Sequence, residues 1–183
     1  MRSAGKVRII AGKWRGRKLD VIDAPGLRPT PDRIRETLFN WLQHDIAGAR
    51  CLDPFAGTGA LAFEALSRGA SEVVMIESDP KVVESLKQHA ETLKSEGHTI
   101  QLGNAISLIK QCDSDFDIIF LDPPFGKDYI EACCSLINEE SLLNPNGLVY
   151  IESEKGLALP EGWEIKKQIK AGNVQSFLVQ QAD

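Results

Sequence analysis

Apolar residues along this chain arrive in two rhythms that alternate from about residue 34 onward. Ile34, Leu38, Leu42 and Ile46 recur at helical spacing after Thr30-Pro31, a pair that starts helices. Short unbroken apolar runs follow at Cys51-Leu52, Val73-Val74-Met75-Ile76 and Ile118-Ile119-Phe120-Leu121, as strands buried on both faces require. Between them, Ala60 to Leu66 and Lys81 to Lys94 predict helices, the second with Asp79 as N-cap and Pro80 at its first position. Thr99 to Leu102 predicts a short strand ending at Gly103-Asn104-Ala105, from which a short helix leads on. Tyr129 to Ile137 predicts a helix and Gly147 to Glu152 a strand. Two closing strands, at about 163–170 and 174–180, meet at Ala171-Gly172-Asn173, a hairpin signal. Strands alternating with helices predict an α/β fold, a mostly parallel sheet wrapped on both faces, to which the terminal hairpin adds an antiparallel strand. At the other end, Arg8 to Ala11 and Leu19 to Ile22 predict the strands of a small hairpin. The chain thus divides into a hairpin extension at 1–27 and a main domain at 28–183.

Composition narrows the class. With 183 residues, 43% hydrophobic and 26% charged, the chain has the material for one well-buried core. No apolar segment approaches the roughly 20 residues of a membrane span, and no signal peptide precedes the first strand, so a cytoplasmic protein is expected. The 4 cysteines, Cys51, Cys112, Cys133 and Cys134, show no CxxC pairing, and the 3 histidines are scattered. Reduced thiols and no metal are expected. Net charge is −5, but the distribution matters more than the sum. Residues 1–50 hold 11 Lys and Arg against 5 Asp and Glu, while the other 133 residues hold 10 against 21. A basic head on an acidic body points to phosphates meeting the N-terminal part.

Three motifs carry chemistry. Asp122-Pro123-Pro124-Phe125 ends an apolar strand with a carboxylate, a stiff extended diproline and an aromatic face. The Asp122 carboxylate and the Pro123 carbonyl are two acceptors beside a ring, suited to a planar heterocycle bearing an exocyclic amine. Upstream, Asp53-Pro54-Phe55-Ala56-Gly57-Thr58-Gly59 reads as a strand end and a glycine turn, with a helix after it. Gly57 and Gly59 permit a sharp turn close to a ligand. Read on to Ala62, the same turn satisfies a dinucleotide fingerprint, so a nicotinamide enzyme stays open. Asp53, which that fingerprint does not need, can accept from an ammonium group such as the methionine end of S-adenosylmethionine. Glu77, about 18 residues past Gly59, is placed to accept both hydroxyls of a ribose. Asn104 and Ala105, at the next strand end, complete a cofactor-binding set with Asp53, Phe55, Ala56, Gly57, Thr58, Gly59 and Glu77. In the basic head, Lys13-Trp14-Arg15-Gly16-Arg17-Lys18 sets an indole among cations, where it can stack on an exposed base. Arg8, Arg28, Arg33 and Arg35 are further candidates for phosphate contact.

With these residues in view, the chain resembles the class I methyltransferases, of Rossmann-like seven-stranded type. More narrowly it resembles the bacterial family that methylates N2 of guanine 966 in 16S ribosomal RNA. The likeness rests on Arg-Ile-Ile-Ala-Gly-x-x-Arg-Gly-Arg at 8–17 and Arg-Pro-Thr-x-Asp-Arg-x-Arg-Glu-Thr-Leu-Phe-Asn-Trp-Leu at 28–42. It rests also on Asp-Pro-Phe-Ala-Gly-Thr-Gly at 53–59 and Asp-Pro-Pro-Phe at 122–125. The resemblance implies S-adenosylmethionine as cofactor, Asp122, Pro123, Pro124 and Phe125 as the catalytic set, and an RNA-binding N-terminal region. It also implies 16S ribosomal RNA within the 30S subunit or an assembly intermediate as the partner, and nothing in the sequence requires more than a monomer. Asn104 stands where many of the class place Asp. Adenine-N6 enzymes share the Asp-Pro-Pro-aromatic motif and form the alternative reading.

Overall fold

The computed structural model describes residues 3–22, 30–112, 115–125 and 128–182. Two strands, β1 (Ser3–Arg8) and β2 (Lys18–Ile22), pair antiparallel as a separate hairpin. Helix α1 (Asp32–Trp41) leads into the main sheet. There β3 (Arg50–Asp53), α2 (Ala60–Ser67), β4 (Glu72–Glu77), α3 (Pro80–Leu93), β5 (His98–Leu102), α4 (Ala105–Ile109), β6 (Phe116–Leu121), α5 (Tyr129–Glu139), β7 (Leu143–Glu154), β8 (Trp163–Ala171) and β9 (Val174–Gln181) follow in turn. The 7-stranded sheet runs β5-β4-β3-β6-β7-β9-β8, parallel through β7 and antiparallel over β9 and β8. Strand order reverses beside β3, which pairs with both β4 and β6, and such a switch point opens a crevice at the strands' carboxyl ends. Among the described residues no helix is long and apolar enough to cross a membrane.

The unbroken apolar runs are explained by burial on both faces. Met75, Ile118 and Phe120 join a core with Leu38, Phe39, Phe63 and Leu86, under α1, α2 and α3. Their neighbours Val74, Ile76, Ile119 and Leu121 join another with Ile109, Cys133 and Ile137, under α4 and α5. The hairpin adds Ile9, Trp14 and Leu19 to the first of these cores. All four cysteines are thiols, and Cys51, Cys133 and Cys134 are buried.

Helix α3 starts as its sequence predicts, with the Asp79 carboxylate accepting from Lys81 N–H at 2.8 Å and Pro80 following. Other ends differ for physical reasons. The first hairpin strand lies at 3–8 and not at 8–11, because the Ile10 and Ala11 N–H groups donate to the Glu64 carboxylate at 2.7 and 3.0 Å. Those donors are lost to a partner strand. Gly12 then crosses the end of α2, where a Cβ would lie 1.8 Å from the Ser67 carbonyl oxygen. Helix α1 begins at Asp32 with Pro31 as its N-cap and ends at Trp41, so Leu42 and Ile46 are buried beyond it in turns. Strand β7 extends to Leu143–Glu154, with an irregularity opposite Phe116/Ile118.

Candidate active site

Asp53, Glu77, Asn104 and Asp122 stand at or just beyond the carboxyl ends of β3, β4, β5 and β6, four neighbours in the sheet. The turn after β3 is held open by local bonds: Ala56 N–H donates to the Ile76 carbonyl at 3.0 Å and Gly59 N–H to the Ala56 carbonyl at 2.7 Å. Gly57 and Gly59 have φ of 50° and 76°. At Gly59 the close approach is to the core and not to a ligand, since a Cβ would meet the Phe63 ring and Leu86 at 2.6 and 2.7 Å. Asp53 is 1% exposed and accepts from the Phe55 and Ala62 backbone, while its Oδ1 has no hydrogen-bond partner among the described residues. Burial, with Glu77 nearby, pushes its carboxyl up to about 7. Glu77 Oε2 accepts from Gly57 N–H at 3.1 Å, and Oε1 from Ser78 and Asp79 N–H at 2.7 and 2.9 Å. The acid is therefore oriented across the glycine turn. Thr58 is buried, and the Phe55 ring rests on Tyr129 with centroids 5.2 Å apart. Asn104 caps α4, its Oδ1 accepting from Ser107 N–H at 3.2 Å, and Ala105 is the first, buried residue of that helix.

Beside this cradle lies a second polar group. Asp122 Oδ2 accepts from the Thr30 hydroxyl at 3.0 Å, so the residue expected to start α1 reaches the Asp-Pro-Pro-Phe motif instead. Leu121 pairs with Ile151, which brings Asp122 alongside Glu152 at the end of β7. Tyr150 donates to Glu152 Oε2 at 2.8 Å and stands 3.1 Å from Ser176 Oγ on β9. Burial holds the Asp122 carboxyl well above the ordinary carboxylate range; Glu152 adds to that, Thr30 works against it, and Asp53 adds a little more. Burial raises Glu152 too, against the Tyr150 hydroxyl. Pro123 is buried, whereas Pro124 and Phe125 are exposed, the ring at 41%. Thr30, Tyr150 and Glu152 escaped the sequence reading. The one trace of the last two is a polar pair spaced by two at the end of an apolar strand.

Among the expected RNA-contact residues, two are corrected by burial. Trp14 is 7% exposed, its ring packed in the core and its backbone N–H donating to Ser67 Oγ at 2.9 Å, so it offers no face to a base. Arg35 is fully buried, bonded to the Arg8 carbonyl and to Asp32, and 3.7 Å from the buried Glu64 carboxylate. It braces the hairpin against α1 and α2. Arg8, Lys13, Arg15, Arg17 and Arg33 are exposed, Arg8 beside Asp32 at 3.6 Å and Arg17 donating to the Thr92 carbonyl at 3.1 Å. Arg28 lies outside the described residues. A cavity of about 440 Å³ opens between the hairpin and α1, lined among others by Arg8, Arg15, Arg68, Asp32 and Glu36.

The chain matches the model of a family described as conserved hypothetical protein 95 over residues 7–180. It is 48% identical over 182 residues to ribosomal RNA small subunit methyltransferase D of Haemophilus influenzae, covering 96% of this chain and 94% of that one. The Escherichia coli protein of the same name is 45% identical over 180 residues, covering 97% and 91%. The solved structure of yhhF from Escherichia coli superimposes with a TM-score of 0.89 at 42% identity, over 97% of this chain and 98% of that one.

Proposed function

Because the chain belongs to the conserved hypothetical protein 95 family, among class I methyltransferases, we propose that it methylates the exocyclic N2 of a guanine in 16S ribosomal RNA. Its cofactor is S-adenosylmethionine, and ribosomal RNA is the substrate that its relatives' names support. One observation carries the finer reading: Asp-Pro-Pro-Phe ends β6 directly beside the Asp53 and Glu77 cradle, with Asp122 half-buried and Pro124 and Phe125 exposed. The cradle suits the cofactor. The unpartnered Asp53 Oδ1 is an acceptor for its ammonium group, and Glu77 is an acceptor for its ribose hydroxyls. When bound, S-adenosylmethionine supplies an electrophilic methyl on a positively charged sulfur.

The chain's own part is to prepare the amine. A guanine amino group donates its lone pair into the ring and is a poor nucleophile until the nitrogen pyramidalises. The Asp122 carboxylate and the Pro123 carbonyl accept its two N–H bonds, favour that geometry and stabilise the positive charge that grows on nitrogen. Phe125 stacks on the base and holds it in line. The substrate is the small subunit or an assembly intermediate, met by the exposed cations of the hairpin as a monomer, and no metal takes part.

The test is methyl transfer from labelled cofactor to unmodified 30S particles, free 16S RNA and DNA, with the modified nucleoside identified by mass. N2-methylguanosine in RNA is expected, and methyladenine in either nucleic acid would overturn the guanine assignment. Asp122→Ala should lower the transfer rate by roughly 100-fold or more while cofactor affinity, measured by calorimetry, stays within a few-fold. A comparable loss of cofactor binding would sink this division of labour.

A further inference from the structure

Glu152 has no place in the mechanism above, yet it is 6% exposed, and it is anchored as an active-site group would be. Its Oε2 takes the Tyr150 hydroxyl at 2.8 Å, that hydroxyl lies 3.1 Å from Ser176 Oγ, and Ser176 faces Glu152 in the β7–β9 ladder. The neighbouring strand end holds Asp122, fixed in turn by Thr30. A buried carboxyl next to another is expensive to keep unless it is needed, because two like charges in a dry site cannot both ionise freely. An apolar residue at 152 would continue the run Val149-Tyr150-Ile151 at no such cost. Tyr150 on β7 and Asp53 on β3 are the other titratable groups felt at this pair, both acidic when they ionise, so no cation neutralises it among the groups described.

We propose that Glu152 is a positioning residue for methyl transfer, acting through Asp122: the two carboxyls hold one proton between them and take up, as a pair, the proton that the amine releases. The inference rests on the methyltransferase reading of the Asp122 site. Once nitrogen carries the methyl, one of its N–H bonds breaks and the electron pair stays on nitrogen. The proton forms an O–H bond on the Asp122 carboxylate, so the pair then holds two protons and no charge. The pair gives one proton to water after the product leaves. The base never touches Glu152. Two coupled acids titrate as a unit, so neither carboxyl has a titration of its own.

Glu152→Gln keeps the shape and an acceptor for Tyr150 but removes the second carboxyl. Single-turnover methyl transfer to unmodified 30S particles, followed against pH, should show the acid limb moved to higher pH by about one pH unit, since the Asp122 carboxylate no longer shares a proton held by Glu152. The maximal rate should fall on the order of tenfold, with cofactor affinity within twofold of wild type. An acid limb that stays in place would overturn the proposal, because a purely structural role moves stability and not the pH profile. If the variant does not fold, carbon-13 carboxyl titration of the wild-type protein decides: biphasic, mutually dependent curves for Asp122 and Glu152 are expected, and independent single-step curves would overturn the pairing. That titration needs no substrate. Wild-type protein that methylates no RNA would therefore count against the function alone, and the titration would still judge the pair.

Discussion

Asp53 shows what one buried side chain can trade between stability and binding. Its carboxyl is pushed up to about 7 by burial, far above an exposed aspartate at about 3.9. Between these values the folded chain holds a proton that the unfolded chain has released, so stability falls as pH rises through that window. Asp53→Asn removes the titration. At pH 8 the ligand-free variant should melt several degrees above wild type, and at pH 4 the two should coincide. In calorimetry the same variant should bind S-adenosylmethionine at least tenfold more weakly, since a charge-assisted bond to the ammonium is worth about 1.5–3 kcal/mol. A variant melting at or below wild type at pH 8 would show that the unpartnered Oδ1 is not a strain on the free protein. Asn104 is the opposite case. Its oxygen is already engaged by Ser107 N–H, so it serves the backbone of α4 first.

At the scale of elements, the hairpin is tied to the rest of the chain by polar contacts to α1, α2 and α3. Glu64 on α2 takes the Ile10 and Ala11 N–H groups and Arg68, and stands beside Arg35, while Ser67 takes Trp14 N–H. His89 on α3 accepts from Asp20 N–H through Nε2 at 3.0 Å, which requires the neutral ring that its burial favours. The buried Arg35 and Trp14 therefore fix the hairpin, while Lys13 and Arg15 at its turn stay exposed. Replacing both with glutamate should weaken RNA binding and reduce the slope of log affinity against log salt by about 1–2. Filter binding between 50 and 300 mM salt, taken as a working range of about that width, measures it. An unchanged slope would move the RNA-contact surface elsewhere.

For the whole molecule, the sheet order that places β3 between β4 and β6 gathers the cradle and the Asp122 pair at the carboxyl ends of the central strands. Binding there should register globally. At 100 times its dissociation constant, S-adenosylmethionine should stabilise the fold by about 2.7 kcal/mol, seen as a rise in melting temperature, and Glu77→Ala should abolish most of that rise. A full rise in the variant would remove Glu77 from the cofactor site. The strands of the sheet, the Asp79 cap and the row of strand-end acids were legible in the sequence, because burial on both faces and capping leave local patterns. Trp14 and Arg35 misled because the same local patterns say nothing of partners: Ser67 is 53 residues from Trp14, and Glu64 lies on another helix. Thr30 reaches Asp122 across 92 residues. Periodicity and motif spacing, being local, determined which elements form and which acids end them. Only the tertiary structure decided which polar groups meet, which charges are buried, and that Asp122 shares its site with Glu152, because burial and coupling depend on neighbours that the chain brings together only by folding.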